Sequence, residues 1–75
     1  MPYKNREDLP LSVKHVLPDH AQDIYKEAYN HAWDEYKDPQ RRNNNESQEQ
    51  VSHKVAWAAV KHQYVKGDDG LWHKK

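Results

Sequence analysis

Six histidines, His15, His20, His31, His53, His62 and His73, are the first residues to test for chemistry, because imidazole both ligates metals and moves protons near neutral pH. Two ligands on one helix face need a spacing of three or four residues. No pair of these histidines has it, and no His-Glu-x-x-His frame is present. They read as structural or solvent-exposed side chains. Nucleophiles are equally scarce. Hydroxyl groups outside tyrosine come from Ser12, Ser47 and Ser52 alone, there is no cysteine or threonine, and two glycines cannot build a phosphate cradle. A 75-residue chain also leaves little room for a substrate pocket of ordinary size. An enzyme is not expected.

The carboxylates carry more information. Asp19, Asp23 and Glu27 step by four residues and so form one column on a helix face, where like charges repel by a few tenths of a kcal/mol per pair. Two readings follow: a docking face for a basic partner, or a solvated face partly neutralised by basic residues of a later helix. A second group, Asp34, Glu35, Asp38, Glu46 and Glu49, flanks a segment in which Asn43, Asn44 and Asn45 supply further oxygens. Oxygen ligands suit Ca2+ or Mg2+. The spacing does not match an EF-hand, and Arg41 and Arg42 would repel a cation, so only weak binding by these five carboxylates is expected.

Three helices must position these groups. Leu9, Val13, Val16 and Leu17 share a face, which predicts a short helix over about 9–16, with Asp8 able to cap it and Pro18 ending it. Pro18 also opens a second helix, about 19–37, whose stripe of Ala21, Ile24, Tyr25, Ala28, Tyr29, Ala32, Trp33 and Tyr36 is unbroken. Residues 38–46 contain no apolar side chain and read as an exposed, flexible loop. Ser47 and Gln50 have capping-box spacing, which starts a third helix over about 47–66. Its apolar residues wrap most of the circumference, so it should be central. Gly67 is a natural stop, and Gly67-Asp68-Asp69-Gly70 is a turn that delivers Leu71-Trp72-His73. That tail could pair with Pro2-Tyr3-Lys4 in a small two-stranded sheet joining the N- and C-terminal segments. The fold class is therefore mainly α, a small three-helix bundle forming one domain over 1–75.

Composition bounds the function. The longest apolar run, Val55–Val60, is far shorter than the ~20 residues that span a bilayer, and the first residues lack the apolar stretch of a secretory signal. With no cysteine to staple it, the chain is expected to be cytoplasmic, not inserted in a membrane, and a monomer. Formal charge is zero overall, but residues 19–38 carry a net −4 and residues 51–66 a net +3. Lys54, Lys61 and Lys66 beside Trp57 and Tyr64 raise a nucleic-acid-binding helical module as one alternative, which zero net charge disfavours.

The assembled residues resemble one family throughout, the ChaB family of cation transport regulators. The resemblance is carried by Met1-Pro2-Tyr3-Lys4, by Asp8-Leu9-Pro10 with Ser12–Pro18, and by His20–Ala28. It continues in Ala32-Trp33 with Tyr36-Lys37-Asp38, in His53–His62, and in Tyr64, Lys66–Asp69 and Trp72–Lys75. It implies a non-enzymatic cytoplasmic accessory protein that regulates a membrane sodium or calcium/proton antiporter of the ChaA type by protein binding. The family's loop is rich in acids, whereas this one has Pro39-Gln40 and Asn43-Asn44-Asn45 in comparable places, which weakens the alternative of a divalent-cation sensor. The family brings no catalytic residues to carry over.

Overall fold

A computed structural model describes residues 2–41 and 46–75 of the chain. Its elements run from a 3-10 turn at Arg6–Asp8 through α1 (Leu11–Lys14) and α2 (Asp19–Glu35) to a second 3-10 turn at Pro39–Arg41. Then follow α3 (Gln48–Gln63), β1 (Tyr64–Lys66) and β2 (Trp72–Lys74). Three helices and a small antiparallel sheet are what the residue pattern implies, with three shifts of boundary and one change of partner.

The long helix forms as its stripe dictates. Pro18 precedes it with extended backbone, Asp19 places a carboxylate in the positive first turn, and Ala21, Tyr25, Tyr29 and Ala32 are buried. It stops at Glu35, where Tyr36 donates its N–H to the Ala32 carbonyl at 2.8 Å. At the start of α3 the capping box is complete: Ser47 Oγ accepts the Gln50 N–H at 3.1 Å and Gln50 Oε1 accepts the Ser47 N–H at 2.9 Å. Small side chains where α2 and α3 meet, Ala21 and Ala56, let the backbones approach, and Val60, Val51 and Ser52 fill the seam. The buried Ser52 hydroxyl is satisfied by the Gln48 carbonyl at 2.8 Å. Gln48 Nε2 reaches across to the Trp33 carbonyl at 2.7 Å and ties the end of α2 to the start of α3.

The first helix is shorter than 9–16. Asp8 closes the preceding 3-10 turn instead of capping α1, its carboxylate accepting the Asn5 N–H at 3.3 Å. Leu9, Val13 and Leu17 nevertheless enter the core on one side, as their spacing requires. Gln22 Nε2 donates to the Leu17 carbonyl at 2.8 Å, satisfying the end of this segment.

The sheet joins β1 to β2, with Tyr64 opposite Lys74 and Lys66 opposite Trp72, and does not join the two termini. A strand that follows its partner after a five-residue connection loses little loop-closure entropy, whereas residues 2–4 lie at the far end of the sequence. This pairing also ends α3 at Gln63, before Gly67, because Tyr64 turns extended to enter the ladder. Gly67 and Gly70 act in the connection instead. Gly70 has φ +82°, and a Cβ on Gly67 would lie 2.8 Å from both the Asp69 carboxylate and the His73 ring.

Residues 2–4 find a different anchor. The Asn30 side chain accepts the Tyr3 N–H and donates to the Tyr3 carbonyl, both at 2.7 Å, and so imitates one rung of a β-ladder. The Tyr3 ring then lies 4.7 Å from that of Tyr29. Burial pushes the Tyr25 and Tyr29 phenols above the ordinary 10.0, and the neighbouring Tyr3 adds to it.

Candidate functional site

The column Asp19, Asp23 and Glu27 lies on the outer side of α2, with the Asp19 side chain 86% exposed. It is not bare. Arg6, in the first 3-10 turn, places Nη1 3.4 Å from Asp19 Oδ2 and Nε 3.3 Å from Asp23 Oδ1. Neutralisation therefore comes from Arg6 and not from the lysines of α3. Nothing in the sequence around residue 6 is periodic, so its approach to the column depends on the non-local fold. Contacts this exposed contribute at most about 1 kcal/mol each, so a partner's cation could replace Arg6 at small cost. Glu27 continues the surface toward Lys26, Asn30, His31 and Asp34, beside the anchored Tyr3 segment.

The second carboxylate group is dispersed among other contacts. Asp34 pairs with Lys37 Nζ at 3.7 Å, Glu46 with Lys54, and Asp38 Oδ1 accepts the Gln40 N–H at 3.0 Å. Glu35 and Glu49 are exposed. Among the described residues no three His, Asp or Glu side chains converge on a position for a metal ion. Residues 42–45, which include the three asparagines assigned to the loop, lie outside the described residues.

Two histidines have specific partners. His53 Nδ1 hydrogen-bonds the hydroxyl of buried Tyr25, giving that phenol the partner its burial demands. His73 Nε2 lies 3.1 Å from Asp69 Oδ2 in the hairpin. The Asp69 carboxylate also accepts the Leu71 N–H at 3.0 Å, and these contacts, the Leu71 amide first, hold it below the usual aspartate range.

A third surface was not legible as a unit. The hairpin brings Trp72 against Trp57 of α3, ring centroids 5.4 Å apart and planes tilted by 34°, while Trp57 meets Tyr25 edge-on at 5.4 Å. Trp72 is also tied to the segment that follows α1, its backbone N–H donating to the Val16 carbonyl at 2.9 Å. Lys61 and Lys66 stand beside the two indoles. Tyr64 is core at 4% exposure and takes no part in this surface. The signal that could have found this surface is the Gly67–Gly70 turn between two short runs of strand-favouring residues, a hairpin pattern.

Comparison with known proteins agrees with the architecture. The ChaB family model matches residues 9–75. "Putative cation transport regulator ChaB" of Escherichia coli strain K12 is 69% identical over 75 residues, covering 100% of this chain and 99% of the relative. The protein of the same description from Shigella flexneri matches at the same 69% identity and coverage. An NMR solution structure of a protein described in the same words superposes with a TM-score of 0.84 at 69% identity, over 99% of each chain. No helix among the described residues is long and apolar enough to cross a membrane. The chain belongs to the ChaB family.

Proposed function

We propose that this protein is a non-enzymatic cytoplasmic regulator that acts by binding a membrane sodium or calcium/proton antiporter of the ChaA type. The observation that carries the reading is full-length identity of 69% to relatives described as cation transport regulators, in a chain whose described helices contain no membrane span. On this reading, regulation of transport works through contact with a protein that does sit in the membrane. Asp19, Asp23 and Glu27 form the face we assign to a basic loop of that partner, with Arg6 giving way to the partner's cations. A sensor acting through bound Ca2+ or Mg2+ has less support, since Lys37 and Lys54 occupy Asp34 and Glu46.

Co-purification of tagged protein with the antiporter from detergent-solubilised membranes tests both parts. The wild type should retain the antiporter, and the triple substitution Asp19→Lys, Asp23→Lys, Glu27→Lys should lose it while keeping a native urea transition. Retention by the triple variant would show the docking face to be wrong. Failure of the wild type to retain the antiporter would remove the partner itself.

A further inference from the structure

Trp57 of α3 borders two concavities, which also share Lys61. One, of about 590 Å³, runs along α3 past Gln50, His53 and the paired Glu46 and Lys54, and so carries a carboxylate of its own. The other, of about 300 Å³, lies between α3 and the hairpin, with Val16, Gly70, Trp57 and Trp72 as apolar wall and floor and Lys61 and Lys66 as its only charged groups. Packing alone accounts for two indoles in contact. It does not account for two ammonium groups at the rim of an apolar concavity that no carboxylate lines, because like charges placed together raise the local potential without stabilising the fold. Neither lysine has a carboxylate partner among the described residues, in contrast to Lys37 and Lys54.

We propose that this groove docks a short acidic segment of a partner protein, with an apolar side chain seated against Trp57 and Trp72 and its carboxylates on Lys61 and Lys66. The complementarity is specific in kind. Indoles supply rigid, amphipathic contact area at low entropic cost, and lysines at the margin select the sign of the ligand.

Two other anionic classes fit less well. A nucleic acid presents a continuous row of phosphates, and two lysines on a chain of zero formal charge offer it too little positive surface. A bilayer surface takes apolar groups that protrude over a broad face, whereas these indoles line concavities. The groove uses none of the residues of the acidic column, so it stands or falls independently of the antiporter assignment.

The test is a titration of the full-length protein with an acetylated peptide of about eight residues alternating glutamate and leucine, followed by tryptophan fluorescence and by the NMR signals of the indole N–H groups. Saturable shifts at Trp57 and Trp72 are expected. Lys61→Glu with Lys66→Glu, both on the surface and so compatible with folding, should weaken binding at least about tenfold, the loss expected for two charge-assisted contacts. An otherwise identical peptide with lysine in place of glutamate should not bind. The proposal is overturned if the acidic peptide leaves both indoles unmoved, or if the lysine reversals leave its affinity intact. It is equally overturned if single-stranded polythymidylate or phosphatidylglycerol vesicles shift these signals where the peptide does not.

Discussion

Replacing Asn30 by alanine removes both arms of the contact that holds the N-terminal segment, and the two physical effects of that change have opposite signs. Asparagine is a poor residue for the middle of a helix, so alanine at this position of α2 should stabilise the helix by up to about 0.6 kcal/mol if nothing else mattered. Against this stand two hydrogen bonds of 2.7 Å to the Tyr3 backbone, each contributing about 1 kcal/mol net. The Tyr3 ring, released from its place 4.7 Å from Tyr29, forfeits a further ~0.5 kcal/mol of aromatic contact. The balance is a destabilisation of about 2 kcal/mol, which in a domain of this size lowers the melting temperature by about 10 °C. Urea unfolding followed by far-UV circular dichroism should show an earlier midpoint with the slope nearly unchanged. Tyr3→Ala made in the wild type and in the Asn30→Ala background should be clearly less harmful in the second, since the ring has already lost its anchor. An Asn30→Ala protein as stable as the wild type, or more stable, would mean that helix propensity governs the site and that the paired hydrogen bonds contribute nothing.

Two further outcomes follow from buried and crowded groups. Folding raises the Tyr25 and Tyr29 phenols above the ordinary 10.0, so their contribution to stability is complete below pH 10 and is lost as pH rises through the higher folded values. Tyrosinate absorbance should therefore show these two rings ionising only as the fold is lost, and five tyrosines titrating together in an intact protein would contradict it. Gly67→Ala forces a Cβ to within 2.8 Å of the Asp69 carboxylate and the His73 ring, costing about 1–3 kcal/mol. Tryptophan emission should shift to the red as Trp72 leaves Trp57, while helical circular dichroism persists; emission unchanged from the wild type would show that the hairpin absorbs the methyl without opening.

Legibility from sequence followed the range of the interactions involved. The stripe of α2 and the Ser47–Gln50 box are local, each residue's role being set by neighbours three or four positions away, and both appear in the fold as read. The end of α3 is different. Tyr64, Val65 and Lys66 continue a helical phase without interruption, and only the ladder to Trp72–Lys74 makes extended backbone the better choice for them. The same non-locality separates what could be seen of the candidate surfaces. The acidic column is a spacing of four and stands out at once, whereas its counter-ion Arg6 and the meeting of Trp57 with Trp72 exist only after segments distant in sequence have packed.

The hydrogen bond from Trp72 to the Val16 carbonyl gives the molecule a seam of uneven strength. Everything between α2 and α3 is held by interdigitated side chains across two long helices, whereas the first segment joins that core through Leu9, Val13 and Leu17, the hairpin joins it through Tyr64 and Trp72, and this bond ties the two to each other. Opening one exposes the other, so the two should fluctuate as a single unit while the helix pair beneath stays closed. In such an arrangement the indole groove spans the looser and the steadier parts of the protein, Trp72 on the hairpin against Trp57 on α3, and a ligand bound there would act as a rivet between them.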